Sequence, residues 1–137
     1  MEDIIEFTIC NDSKKLNVFT HKLDNPKIIL IHLHGMHSTF QFTSDEPDEF
    51  CNRIKILKHY NIISYGLEFN GHGKSDGKKA LINNFNDLVK DLDCLINYVN
   101  KYYNNELPIY LLGESMGGTV SVKYSYLNPK KIKTIGY

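Results

Sequence analysis

The chain has 137 residues, enough for one domain with its own core, and its 42% hydrophobic and 23% charged residues are ordinary for a globular protein. Sixteen Lys and Arg balance sixteen Asp and Glu, so no basic excess draws the chain to nucleic acid or to an anionic membrane surface. The longest apolar run, Ile28 to Ile31, is far too short for a transmembrane segment; the opening MEDIIEF resembles neither a signal nor a transit peptide; and Cys10, Cys51 and Cys94 lie far apart with no C-x-x-C pair, so reduced, mostly buried thiols in a cytoplasmic protein are expected.

Taken in chain order, Ile5, Phe7 and Ile9 alternate with Glu6 and Thr8, the pattern of a half-buried strand. The turn signal Asn11-Asp12-Ser13 and a second alternating run over Leu16 to His21 predict an antiparallel hairpin. Asp24-Asn25-Pro26 breaks the chain, and Ile28 to Leu33 is then nearly all apolar, which predicts a strand covered on both faces in a parallel sheet. Pro47 among Ser44, Asp45, Glu46, Asp48 and Glu49 suits the first turn of a helix, with Phe50, Ile54 and Leu57 following at helical spacing. Ile62 to Leu67 reads as a strand, and Gly71 to Gly77 as a loop. Asn84, with Asp87 three residues on, predicts the cap of a helix whose buried stripe is Phe85, Leu88, Leu92, Leu95, Ile96 and Val99. After Pro108 comes a short buried strand, Ile109 to Leu112. A helix rich in small residues opens at Ser115 and stops at Asn128-Pro129, and Ile132 to Tyr137 starts a last strand. Alternating strands and helices predict an α/β fold: a mostly parallel sheet with an N-terminal antiparallel hairpin and helices on both faces, forming one domain over residues 1–137 without repeat or linker.

Three stretches carry candidate chemistry. Gly113-Glu114-Ser115-Met116-Gly117 fits G-x-S-x-G and lies between a predicted buried strand and a helix, the setting of a nucleophile elbow. A serine on such a tight, strained turn needs small neighbours, which Gly113, Gly117 and Gly118 supply, and the helix opening behind it aims backbone N–H groups at a developing oxyanion. His32-Leu33-His34-Gly35-Met36-His37-Ser38 follows the first long apolar strand. In the elbow-bearing fold, one oxyanion donor comes from the loop after that strand and the other from the residue after the serine, here Met36 and Met116. Gly35 would let the backbone turn, with His34 supporting the loop. His32 and His34 sit two apart as ligands on a strand would, but no third ligand is evident, so buried, hydrogen-bonded histidines are expected and no metal or other cofactor. Asn70-Gly-His-Gly-Lys-Ser-Asp-Gly77 fits neither nucleotide-loop pattern and reads as a glycine-permitted loop at the carboxyl edge of the sheet, with His72 as a structural hydrogen-bonder.

In order, the HG, GHGKSDG and LLGESMGG motifs resemble the monoacylglycerol lipase and lysophospholipase group of α/β-hydrolases, which is also grouped with serine aminopeptidases. The resemblance covers the chain from about Ile28 onward. It implies a small ester or lipid-like substrate, acyl transfer through Ser115, and an oxyanion hole at Met36 and Met116. Two positions depart from the family's habit: Glu114 stands where histidine is frequent, and Glu68 is the acid nearest the GHG loop. A third departure concerns the base. The triad of this fold runs serine, acid, histidine along the chain, and Met116 to Tyr137 holds no Asp, Glu or His. The expectation is therefore a truncated α/β-hydrolase domain lacking the acid loop, the histidine loop and the cap. His34, His37 or His72 would be the upstream substitutes for the base. The last strand would leave an apolar edge that invites self-association or a complementing C-terminal chain. Two classes stand side by side: a serine ester hydrolase completed by further chain, or a catalytically dead relic that binds a partner.

Overall fold

The computed structural model describes residues 4–36, 49–79 and 81–136. Six strands form one sheet in the order β1-β2-β4-β3-β5-β6. β1 (Ile4–Asn11) and β2 (Lys14–His21) make the expected hairpin, antiparallel with Phe7 opposite Val18 and Ile9 opposite Leu16. β2 also pairs antiparallel with β4 (Ile62–Leu67). β3 (Ile28–Leu33) lies parallel between β4 and β5 (Ile109–Gly113), so its near-continuous apolar run sits at the centre of the sheet. β6 (Thr134–Gly136) pairs parallel with β5 and ends the sheet. It is shorter than the expected Ile132 to Tyr137 strand: Ile132 is buried after the turn that ends with Lys131 N–H bonding to Asn128, pairing with β5 begins at Thr134, and Tyr137 lies outside the described residues.

Three helices cover the sheet. α2 (Phe85–Tyr102) and α3 (Met116–Leu127) pack together over one face, where Leu16, Val18, Ile29, Ile31, Leu33, Ile63, Leu67, Ile109 and Leu111 meet Leu88, Leu92, Leu95, Ile96, Val99, Val120 and Tyr124 in one core. α1 (Glu49–Leu57) covers the other face, with Phe50 and Ile54 packed on Phe19 in a separate, smaller cluster. Alternation places Val18 in the first cluster and its neighbour Phe19 in the second, as a strand's two-residue period requires. The expected start of α1 around Pro47, with Ser44, Asp45, Glu46 and Asp48, lies outside the described residues. The stripe of α2 matches its pattern except at Phe85, which is only partly buried, and it also takes in Asp91, a carboxylate that accepts from Asn70 N–H at 2.9 Å and from Asn11 at 3.1 Å. Burial pushes the Asp91 carboxyl up, against these hydrogen bonds.

The thiols depart from expectation. Cys51 is buried, Cys94 is half-buried and Cys10 is exposed, because Cys10 follows Ile9 on the side of β1 that faces away from α2.

Asn84 caps α2 in extended backbone, its side chain accepting from Asn86 N–H at 3.0 Å. Replacing a cap acceptor with alanine removes that bond, whereas glycine at an N-cap is tolerated. Asn84→Ala should cost about 1 kcal/mol in urea unfolding and Asn84→Gly only a few tenths; equal losses would mean that the side-chain bond contributes nothing.

Candidate active site

The carboxyl ends of β3 and β5 meet at Leu33 and Gly113, which pair across the sheet. The chain then turns through Glu114 and Ser115 into α3. Glu114 N–H bonds Leu33 O at 3.0 Å, Gly117 N–H bonds Glu114 O at 2.9 Å, and Thr119 N–H bonds Ser115 O at 3.1 Å. Held this way, Ser115 takes φ 51° and ψ −113°, a conformation that side-chain-bearing residues rarely adopt. Such a residue costs about 1–3 kcal/mol and persists only where its surroundings over-determine it. Here they do. A Cβ on Gly113 would overlap the Gly117 carbonyl and come within 2.5 Å of Gly118 N, and a Cβ on Gly117 would overlap the Leu33 carbonyl. The two glycines let α3 close directly onto the ends of β3 and β5.

The result is an exposed serine at the N-terminus of a twelve-residue helix with no acidic side chain in its first turn. The positive end of the helix dipole therefore acts at Ser115 unscreened by a neighbouring first-turn carboxylate. Among the described residues, Met116 N–H has no backbone acceptor, while the Met116 side chain packs against the core. Beside Ser115 opens a concavity of about 570 Å³ with Leu112 and Val122 as its apolar walls and Arg53 and Glu114 as its charged ones.

The loop after β3 comes alongside. A Cβ on Gly35 would rest 3.5 Å from Ser115 Cβ and 3.6 Å from Glu114 O, which is ordinary contact, and Gly35 does not have left-handed φ. The chain turns just after Gly35, at Met36, without a left-handed φ at the glycine. Met36 is 48% exposed on the same loop. His37 and Ser38 of the motif lie outside the described residues.

The histidines have separate fates. His34 is buried, its Nδ1 2.7 Å from Gly35 O and its Nε2 3.1 Å from Phe69 N. A carbonyl can only accept and an amide N–H can only donate, so the proton is on Nδ1 and the Nε2 lone pair is taken. This arrangement leaves neither nitrogen for Ser115. Burial holds the His34 imidazole down at about 4. His72 packs on it with ring centroids 4.9 Å apart and places Nδ1 3.1 Å from Asn70 O, the structural role expected of it. His32 is buried too, but against expectation neither of its nitrogens has a hydrogen-bond partner among the described residues. It projects under α1, with its ring edge-to-face on Phe50 at 4.9 Å, and burial, then the Arg53 charge, push it down to about 3. His32 and His34 thus face different surroundings and do not form a ligand pair. Among the described residues, no hydrogen bond joins Ser115 Oγ to any histidine.

Glu68, the acid nearest the GHG loop, is enclosed by that loop. Its carboxylate accepts from Asn17 Nδ2 at 2.8 Å and from Lys74 N–H at 3.2 Å, and Gly73, at φ 52°, passes where a Cβ would overlap it. Burial pushes the carboxyl up. Asp76 and Ser75 then fasten the loop to Lys15 and Asn17 of β2 at 2.9 and 2.8 Å. Nothing in the sequence pattern signalled this link between the hairpin and the loop, since it joins residues about sixty positions apart.

The comparisons agree on a family. A sequence model of the family described as serine aminopeptidase, S33, matches residues 24–135. The monoglyceride lipase of Rattus norvegicus is 35% identical over 92 residues, which is 64% of this chain and 30% of that protein. A putative esterase/lipase 2 of Mycoplasma genitalium is 30% identical over 122 residues, 87% of this chain and 40% of that one. Among solved structures, Est1E from Butyrivibrio proteoclasticus with ferulic acid bound superposes with a TM-score of 0.78 at 21% identity, over 94% of this chain and 50% of that chain. A thermostable carboxyl esterase from Bacillus coagulans gives a TM-score of 0.76 at 16% identity, over 98% and 43%. The chain spans about a third of the length of the curated relatives it matches.

Two outcomes test this geometry. Gly117→Ala should cost 2 kcal/mol or more, on the order of other overpacked sites, whereas Gly35→Ala should stay within about 1 kcal/mol of the parent because its Cβ has room; similar losses at both would contradict the close approach of α3 to β3. The second outcome concerns pH. Unfolded imidazoles protonate near 6.5, but in the folded chain His34 waits until about 4 and His32 until about 3. Between those values the unfolded chain holds more protons, so stability falls as the pH drops through 6.5 toward 4, by about 2 kcal/mol per histidine at pH 5. The raised carboxyls of Glu68 and Asp91 oppose this trend. Denaturant unfolding at pH 7 and pH 5 should show a smaller loss in His32→Leu than in the parent; an equal loss would show that His32 is not held neutral.

Proposed function

Because this chain belongs to the serine aminopeptidase, S33, family of α/β-hydrolases, we propose that Ser115 is the nucleophile of a serine ester hydrolase acting on a monoacylglycerol- or lysophospholipid-like ester. The observation that carries this reading is the backbone of Ser115. A φ of 51° on a serine is costly, and here it lifts the side chain out of the turn and onto the positive end of α3. Oγ attacks the ester carbonyl and loses its proton to a base; the oxyanion is received by the N–H groups of Met36 and Met116; the alcohol leaves with a proton; and water hydrolyses acyl-Ser115. The monoglyceride lipases and esterases among its relatives support the substrate class.

The base and its orienting acid come from polypeptide beyond residues 1–137. In this fold they follow the serine, residues 116–137 hold no Asp, Glu or His, and both nitrogens of His34 are already used. The described strands end at β6, and a complementing C-terminal segment, in the same chain or another, is the partner we assign to that edge. No described helix is long and apolar enough to cross a membrane. Cys10, Cys51 and Cys94 are free thiols, in keeping with the reducing, cytoplasmic setting we assign. A second reading, a binding protein without catalysis, is favoured by one observation: among the described residues, Ser115 Oγ has no histidine partner.

A fluorophosphonate probe separates the two. The protein isolated from its native source should carry the phosphonyl group on the peptide containing Ser115, and Ser115→Ala should abolish labelling. A folded protein that stays unlabelled would leave the binding reading standing. Size-exclusion chromatography of residues 1–137 with and without a C-terminal segment then reports whether the edge pairs with that segment or with a second copy.

A further inference from the structure

We infer that His34 is a positioning residue for the oxyanion hole: by donating to the Gly35 carbonyl it fixes the orientation of the Gly35–Met36 peptide, and so of the Met36 N–H. The inference rests on the reading of Ser115 and Met36 given above and adds the group that sets the donor's direction. In a trans peptide the C=O and the following N–H point to opposite edges of one plane. The Gly35 oxygen is drawn back to His34 Nδ1 at 2.7 Å, which leaves the Met36 N–H projecting from the other edge, in the loop whose Gly35 already abuts Ser115.

The ring that holds that carbonyl is itself enclosed. Its Nε2 accepts Phe69 N–H at 3.1 Å, so the ring bridges the loop after β3 to the chain leaving β4. Phe69 is fully buried and packs edge-on against the same ring at 5.2 Å, and His72 lies on it at 4.9 Å. With His34 only 4% exposed, the imidazole has little freedom to turn. An oxyanion donor is effective when it is fixed before the charge develops, and a displacement near 1 Å costs on the order of 10²-fold in rate. A loop whose outer residue, Met36, is 48% exposed would otherwise leave its peptide free to rotate.

The two ring nitrogens make the idea separable from simple core filling. An asparagine amide nitrogen overlays Nδ1 and can still donate to Gly35 O. A glutamine amide reaches the place of Nε2 and can serve Phe69 N–H but not Gly35. The experiment compares His34→Asn, His34→Gln and His34→Ala in the native-length protein by fluorophosphonate labelling kinetics, and by the amide resonance of Met36 in ¹⁵N-labelled protein. Expected for His34→Gln and His34→Ala is a fall of about 10²-fold in the maximal labelling rate with little change in the half-saturating probe concentration, together with a displaced Met36 resonance. His34→Asn should recover most of the rate, to within about tenfold, and return the Met36 resonance toward the parent position. Equal behaviour of the Asn and Gln variants, or an unmoved Met36 amide in His34→Ala, would overturn the inference. If the parent protein does not label at all, the reading of Ser115 fails separately and the spectrum alone decides: a displaced Met36 amide rescued only by Asn upholds His34 as the holder of that peptide, and anything else removes it.

Discussion

The close approach of α3 to the end of β3 is the constraint from which the site follows. Two glycines permit it. With side chains at Gly113 and Gly117, the helix would have to withdraw from the Leu33 and His34 carbonyls, and the bond from Glu114 N–H to Leu33 O would open. Once the helix is seated, Val120 and Tyr124 are buried in the core and Ser121 bonds back to Gly117 O at 2.8 Å, so α3 is anchored along its length. Ser115 is then left with no relaxed conformation that joins strand to helix. Its strain is the remainder of a packing arrangement that is favourable as a whole.

The electrostatics around that point follow from the same contact. A helix that began one turn later, or behind a capping side chain, would present its N–H groups to itself or to its cap; here Ser115 makes no side-chain cap bond. Glu114 and Arg53 add charges of opposite sign to the adjoining concavity, while Leu112 and Val122 keep its walls apolar. An apolar wall with a few polar groups converging beside Ser115 has the make-up of a small-molecule site, which the ester substrate proposed above would use. On the outer side of α3, Tyr126 and Leu127 are exposed along with Val122, so this helix is apolar on more than its core side.

Much of this was legible in the residues. The two-residue period of Ile5, Phe7 and Ile9, the unbroken run Ile28 to Leu33 and the stripe from Leu88 to Val99 each carry their own element, because burial repeats along a strand or helix at a fixed spacing. Gly113, Ser115 and Gly117 were equally plain, since a turn this tight admits few residue types. The polar partners were not. Whether His34 was a ligand, a base or a brace depended on Gly35 O and Phe69 N–H, and the second lies 35 positions away. His32 is the same residue type two positions earlier, yet among the described residues its nitrogens are unpartnered, with Phe50 of α1 packed against the ring. Local pattern reports which face is buried, and hydrogen-bond partners across the sheet are decided by what tertiary packing brings there.

The fastening of the loop after β4 to β2 has a consequence in time. Lys15 N–H and Asn17 N–H receive their partners from Asp76 and Ser75, 61 and 58 residues downstream, and the pairing of Val18 with Leu67 spans a similar stretch. At roughly 5–20 residues per second of synthesis, the hairpin waits several seconds after emergence before these partners exist. Throughout that interval the inner side of β2 is an unpaired strand edge. Until the loop after β4 has been made and docked, the hairpin therefore carries an open edge that other chains could pair with.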